Sequence, residues 1–341
     1  MSLVSAIEGE ADQLISKHAF PNCSGHVLDC VNDTATLSTM IGESDLVISL
    51  LPYVFHPIVA KLAIENSVNM VTASYLSDAM ADLHDEAAKA GITVVNEVGV
   101  DPGIDHMLAM ELFHELQEGG EEIKSFVSFC GGLPAPEASN NPLGYKFSWS
   151  PRGVLLNTVS GINKLINKML KTKNLGAQWL HDNRTDAIAP GGAIIEQPYQ
   201  FSGSNEVPFS TWNGFSLEGL PNRDSTKYRE PYHIPQCETL LRGTFRYKGY
   251  CSILRDFHAL ELVTEEPCKL MESCSTWAEF IAKRTGCTEG GNLVEHLKSV
   301  TNKVGEPLNI QALSELGLLS DEPIKQAGCP LDSLAHLLNG R

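Results

Sequence analysis

The chain has 341 residues, 43% of them hydrophobic and 20% charged, with a formal net charge of −17. That length accommodates two domains, and the composition is ordinary for a globular protein. The charge excludes a broad basic face for nucleic acid, though not a local basic cluster for a small anion. No apolar run reaches the length of a membrane span. Nine cysteines (Cys23, Cys30, Cys130, Cys237, Cys251, Cys268, Cys274, Cys287 and Cys329) stand singly, with no C-x-x-C pair. Reduced thiols follow, and no metal site is expected.

The first residues carry no targeting pattern. Leu3-Val-Ser reads as the end of a strand, 8–18 as a helix, and 25–29 as a short strand closing on Asp29. A helix is expected over 33–42 with Asp33 as its N-cap. The continuous apolar run of 45–52 suits a strand buried on both faces of a parallel sheet. Residues 56–66 then read as helix, 68–75 as strand and 76–91 as helix. This alternation is that of a doubly wound parallel sheet. Such a dinucleotide fold opens with a strand, G-x-G-x-x-G and a helix, and no such motif occurs in the 341 residues. The expectation is an incomplete Rossmann-like sheet. In that register Leu3-Val-Ser is the second strand, Ala6 stands where a ribose-binding acid belongs, and Asp29 ends the third strand, beside adenine.

Residues 92–100 read as a strand that stops at an Asp101-Pro-Gly turn, with a helix from near Gly103. Asp101, Asp105 and His106 thus fall at the carboxyl end of a strand, where ligands collect in open α/β sheets. The plainer role for Asp101 is a helix cap. Cys130 ends a strand over 122–130. A small buried hydrophobe is its default role, and a proton donor or substrate contact needs a polar, open setting. The Pro-, Asn- and Gly-rich stretch that follows is an ordered loop leading to a helix capped by Ser150. A polar insertion is expected at 171–189. Arg242, Thr244, Arg246 and Lys248 alternate, which puts them on one face of a strand, with Arg223 on a turn that faces it. Guanidinium groups grip carboxylates in a fork; the alternative is a solvated face pairing with local acids. From His258 onward the apolar spacing is helical.

Several stretches together resemble one family. These are Asp45-Leu-Val-Ile-Ser-Leu-Leu-Pro-Tyr53, Val71-Thr-Ala-Ser-Tyr75, Asp101-Pro-Gly-Ile-Asp-His-Met107, Phe129-Cys-Gly-Gly-Leu-Pro-Ala-Pro-Glu137, Tyr145-Lys-Phe-Ser-Trp-Ser-Pro151, Pro221-Asn-Arg-Asp-Ser225 and Leu241-Arg-Gly-Thr-Phe-Arg-Tyr-Lys-Gly-Tyr250. They look like the glutamate-forming saccharopine dehydrogenases (saccharopine reductases), with the C-terminal half of the animal alpha-aminoadipic semialdehyde synthases as the nearest likeness. The resemblance implies a partial Rossmann domain over 1–102, an α/β substrate and dimerisation domain over 103–257, and a small helical domain over 258–341. It implies oxidation of saccharopine with NAD, NADP being left open, to glutamate and aminoadipate semialdehyde. It also implies a homo-oligomer, fused to or associated with a lysine-ketoglutarate reductase domain, in the mitochondrion as in animals or else in the cytoplasm.

Residue by residue, the resemblance places Asp29, Leu50, Leu51, Pro52, Asp101 and Pro102 at the cofactor. Ser74, Tyr75, Cys130, Arg223, Thr244, Phe245 and Arg246 fall at the substrate. Asp101 becomes the group that steers protons, with Tyr75 and Cys130 modulating it. Against the family the chain lacks the first strand with its glycine loop and the closing segment after Arg341, so it is expected to be a truncated form with little turnover of its own. Two alternatives stand beside the enzyme: an inactive fragment that keeps only the substrate and dimerisation domain, and a Rossmann-type amine oxidoreductase akin to homospermidine synthase. The basic cluster disfavours the latter's cationic substrate.

Overall fold

The computed structural model describes residues 1–147, 149–156, 217–221, 225–237, 239–288, 290–301 and 307–339. Arg223 and the insertion expected at 171–189 lie outside the described residues. The chain divides into two units, Met1–Glu115 and Leu116–Arg341.

In the first unit strands and helices alternate: β1 (Ser2–Ser5), α1 (Glu10–His18), β2 (Ser24–Val27), α2 (Thr34–Gly42), β3 (Leu46–Ser49), α3 (His56–Glu65), β4 (Asn69–Thr72), α4 (Asp78–Ala81), α5 (His84–Ala90), β5 (Val94–Val95) and α6 (Ile104–Glu118). Every strand pairing is parallel, as helical crossovers require. The strands form two sheets, β1–β2 and β3–β4–β5, and not one continuous sheet. Leu37 and Ile41 of α2, Val59, Ala60 and Ala63 of α3, and Met70 of β4 make the core.

Four expectations change here. β3 is not buried on both faces: Val47 packs into the core while Leu46 and Ile48 are 46% and 62% exposed. Helix α3 packs against β3 and β4. Asp33 precedes α2 but does not cap it, because its carboxylate accepts the Asp29 N–H at 3.0 Å. The helix expected over 76–91 is two, α4 and α5. The strand expected over 92–100 pairs only at Val94 and Val95. Glu97 then adopts φ 62°, a left-handed conformation that interrupts the ladder, after which the Val98 N–H donates to the Thr72 carbonyl at 3.1 Å.

Beyond β5 the chain closes a small loop on itself. Gly99 N–H donates to the Pro102 carbonyl at 2.8 Å, and the Ile104 and Asp105 N–H groups donate back to the Gly99 and Val100 carbonyls at 2.9 and 3.1 Å. The Asp101–Pro102 peptide is cis. Gly103 has φ 151°, and a Cβ there would lie 2.1 Å from the Gly99 oxygen, so only glycine fits.

The second unit holds β6 (Ser125–Cys130), β7 (Leu217–Pro221) and β8 (Thr239–Tyr247) in the order β6–β8–β7, with β8 parallel to β6 and antiparallel to β7. Helices α7 (Tyr250–Ala259), α8 (Lys269–Glu272), α9 (Trp277–Thr285), α10 (Leu293–Leu297), α11 (Ile310–Glu315) and α12 (Pro330–Leu338) follow. Thr276, Asn292 and Asn309 start α9, α10 and α11 by accepting the N–H three residues on. Tyr145, Leu155, Tyr250, Phe257, Trp277, Phe280, Leu313 and Leu334 share one core, so the loop before residue 156 packs into the same apolar interior as the C-terminal helices. No helix among the described residues is long and apolar enough to cross a membrane.

Gly103→Ala is expected to lower stability by about 1–3 kcal/mol, because the added Cβ collides with backbone in a conformation that L residues avoid. Urea unfolding checks this; an unchanged midpoint contradicts the loop geometry.

Candidate active site

In the first unit the polar groups gather at the carboxyl ends of β3, β4 and β5. Tyr75, three residues past β4, donates its hydroxyl to Asp101 Oδ1 at 2.7 Å. Asp101 therefore faces the end of β4, and at the start of α6 Asp105 Oδ1 accepts the Gly103 N–H at 2.8 Å. The turn that carries Tyr75 is fixed by Glu97. The Glu97 N–H donates to the Ser74 carbonyl at 3.0 Å, and Glu97 Oε1 accepts the Leu76 N–H at 2.9 Å. Its second oxygen, Oε2, lies 2.7 Å from His106 Nε2. With the first N–H groups of α6 engaged by carbonyls and by Asp105, this helix start is closed to an anion.

Beneath that turn sits His56, the first residue of α3, 2% exposed. Its Nδ1 lies 2.8 Å from Ser49 Oγ, and its Nε2 lies 2.7 Å from Ser74 Oγ and 3.0 Å from Thr72 Oγ1. Burial pushes the imidazole below its ordinary pKa. Leu50 is 79% exposed just past the end of β3, Leu51 packs against the core, and Pro52 begins the turn into α3. At Asp29, expected beside adenine, Oδ1 accepts the Val31 and Asn32 N–H groups at 2.7 and 3.0 Å, which hold its carboxyl below the usual range.

In the second unit the β6–β8 register sets Cys130 opposite Thr244. Arg246, two residues on, is 8% exposed and donates from Nη1 to Thr244 Oγ1 at 2.7 Å and to the Phe245 carbonyl at 2.6 Å. Its guanidinium lies 4.4 Å from the Tyr145 ring centre and 5.4 Å from that of Tyr250. Nε is buried without a hydrogen-bond partner among the described residues. Burial raises the Tyr250 phenol to about 12, with Arg246 opposing the shift. The Phe245 ring stacks on Phe129 at 4.8 Å, and the Phe245 Cβ and backbone would meet any Cβ on Gly131. The evenly basic strand face does not form. Arg242 is buried with its guanidinium 4.5 Å from the Tyr228 ring centre, and Lys248 lies beyond the end of β8, exposed. Among the described residues no cluster of three His, Cys, Asp or Glu side chains is placed to hold a metal.

Sequence inspection missed His56, Glu97, Tyr145 and Tyr250. Glu97 had a visible signal, since Asn96-Glu97 breaks an otherwise apolar run. Tyr145 and Tyr250 bound two of the family-like stretches but were not singled out within them, and His56 read only as the start of a helix.

Parallel strands wound with helices, and polar groups converging at their carboxyl ends, define a dinucleotide-binding α/β protein. The sequence model described as the saccharopine dehydrogenase NADP binding domain matches residues 2–95, and that of the saccharopine dehydrogenase C-terminal domain matches residues 99–341. The chain belongs to the saccharopine dehydrogenase family. It is 41% identical to mitochondrial alpha-aminoadipic semialdehyde synthase of Bos taurus, over 98% of this chain and 34% of that protein. It is 37% identical to the NADP(+), L-glutamate-forming saccharopine dehydrogenase of Saccharomyces cerevisiae, over 90% of this chain and 65% of that one. The solved structure of apo histidine-tagged saccharopine dehydrogenase (L-Glu forming) from S. cerevisiae matches with a TM-score of 0.70 at 32% identity, covering 99% of this chain and 71% of that chain. The chain thus spans about a third of the animal relative and about two thirds of the yeast one.

The family points to a nicotinamide cofactor. The residues at the ends of β3 and β4 fit its nicotinamide end: exposed Leu50 offers apolar surface to a flat ring, and Pro52, Tyr75 and Asp101 border the same sheet edge. The helices after β1 and β2 are poorly suited to the pyrophosphate, because Glu10 and Asp12 occupy the first turn of α1 and Asp33 precedes α2.

The buried His56 gives a pH signature. Its folded pKa lies below the ordinary imidazole value of about 6.5, so the unfolded chain takes up the proton first. The contribution is complete above 6.5 and is lost as pH falls from there through the lowered folded value. Thermal midpoints from pH 8 to 5 are expected to fall more steeply in the wild type than in His56→Asn; parallel curves would show that His56 does not titrate this way.

Proposed function

We propose that this chain performs glutamate-forming saccharopine dehydrogenation. Saccharopine, water and an oxidised nicotinamide dinucleotide give glutamate, aminoadipate semialdehyde and the reduced nucleotide. The observation that carries this reading is the Tyr75–Asp101 hydrogen bond of 2.7 Å at the carboxyl edge of the parallel sheet, within a chain of the saccharopine dehydrogenase family. By likeness to the bovine relative the setting is mitochondrial.

Saccharopine is a secondary amine with three carboxylates, and each feature asks for a different group. A bound nicotinamide supplies the hydride acceptor. Asp101 receives the proton of the substrate amine and passes it to solvent, then receives that of the attacking water and returns it to the nitrogen of the departing glutamate, a task suited to a carboxylate that already accepts one hydrogen bond. Tyr75 holds that carboxylate in line and shares the proton. Ser74, beside Tyr75, contacts the substrate. Arg246, desolvated between two rings, holds a carboxylate together with Arg223, while Thr244 and the Phe245 carbonyl keep its guanidinium aligned. Cys130, opposite Thr244, lines the same place. Leu50, Leu51, Pro52 and Pro102 border the nucleotide.

The resemblance implied NAD, while the residues left NADP open. The family model's description and the name of the yeast relative support NADP instead, and we take NADP as the preferred form. Ala6 after β1 is consistent with that choice, since no acid stands there to repel a 2′-phosphate.

The test is purified protein with saccharopine and each oxidised nucleotide, following reduced nicotinamide and glutamate together. Asp101→Asn is expected to lower kcat by about 10²–10⁴-fold. Arg246→Lys, which keeps the charge but loses the planar stack, is expected to raise the saccharopine KM about tenfold with a smaller effect on kcat. A kcat/KM ratio favouring NAD over NADP would reverse the cofactor choice. Failure of the wild type to form either product would overturn the proposal.

A further inference from the structure

His56 has more partners than its burial requires. Ser49 and Thr72, 4% and 1% exposed, already stand at its two ring nitrogens. The shortest contact goes to a third residue, Ser74 Oγ, 2.7 Å from Nε2 and on the half-buried turn next to Tyr75. The backbone of that turn is fixed from the other side, since the Ser74 carbonyl accepts the Glu97 N–H and the Leu76 N–H donates to the Glu97 carboxylate. What remains undetermined at Ser74 is the direction of its hydroxyl. A hydroxyl turns freely about its Cα–Cβ and C–O bonds unless a partner holds it.

We propose that His56 is a positioning residue that sets the Ser74 hydroxyl, and with it the face the Ser74–Tyr75 turn presents to substrate. Helix α3 carries His56 against the ends of β3 and β4, so the ring is held at Nδ1 by Ser49 and reaches Ser74 from below. One side of Ser74 Oγ is engaged by Nε2. Its other side is left to meet a polar group arriving at the sheet edge, beside the hydroxyl that Tyr75 gives to Asp101. His56 itself stays buried and acts only through Ser74.

This inference rests on the proposed saccharopine site, and the experiment separates the two. Saccharopine binding is measured by calorimetry on the chain and on His56→Asn, His56→Gln, Ser74→Ala and the His56→Asn/Ser74→Ala double variant. Asn retains an amide only near the Nδ1 position, whereas Gln reaches the Nε2 position. His56→Asn and Ser74→Ala are each expected to weaken binding about tenfold, His56→Gln to restore it to within about threefold, and the double variant to be no weaker than Ser74→Ala. A purely structural His56 would instead give effects that add in the double variant, with Gln no better than Asn, and that result overturns the inference. The second arm needs no ligand. With ¹⁵N-labelled histidine, the His56 ring resonances are expected to move in Ser74→Ala; unmoved resonances overturn the inference. If the wild type binds no saccharopine, the proposed substrate fails, and the resonance shift alone then supports or overturns the His56–Ser74 coupling. Should His56→Asn not fold, His56→Gln and Ser74→Ala carry both arms.

Discussion

The carboxylate of Glu97 is the constraint on which the rest of the first unit's polar edge depends. One oxygen accepts the Leu76 N–H and the other meets His106, so a single side chain ties the turn after β4 to the first turns of α6. It can do this because its own backbone interrupts the ladder at φ 62°. A non-glycine residue in that region carries a conformational cost, about 1–3 kcal/mol at sparsely populated positions, and persists only where its surroundings over-determine it. Here they do: the N–H of Glu97 and both its carboxylate oxygens are engaged. The distance between Tyr75 and Asp101 is thereby a property of a closed backbone circuit, not of two independent side chains.

The second unit handles charge by a different route. In a chain of net charge −17 a guanidinium has many exposed acids to pair with. Among the described residues Arg246 is instead withdrawn beneath aromatic rings, those of Tyr145 and Tyr250. Rings attract a cation without neutralising it. A cation stacked in this way keeps its charge for an incoming anion, where a salt bridge would already have spent it. The buried phenol of Tyr250 shows how low the local polarity is.

Much of the architecture was legible in the residues. Alternating apolar runs and polar breaks announced the parallel strands, and the Asp101-Pro-Gly turn announced where β5 gives way to α6. What periodicity could not convey was which strands share a sheet, or how much of a nine-residue apolar stretch finds a partner. Val94 and Val95 pair in regular register, and past Glu97 only isolated bonds such as that from the Val98 N–H to the Thr72 carbonyl are seen among the described residues. In the candidate site Tyr75 came from motif likeness, and Asp101 already from its place at the carboxyl end of an apolar run. His56 stayed hidden because its contact with Ser74 spans 18 positions and exists only when β3 and β4 lie side by side. The parity of β8 put Arg242 and Arg246 on one face but said nothing about the different rings that await them.

The packing of Arg246 has a consequence for when its disorder is removed. A free arginine side chain carries about 2 kcal/mol of rotamer entropy. In this protein Tyr145, Tyr250, Thr244 and the Phe245 carbonyl confine the guanidinium before any ligand arrives. The loss of freedom is therefore borne by folding, and a carboxylate that docks there meets a group already immobile. Its association shows mainly as enthalpy with little ordering of protein, while the ligand-free protein bears the burden as reduced stability.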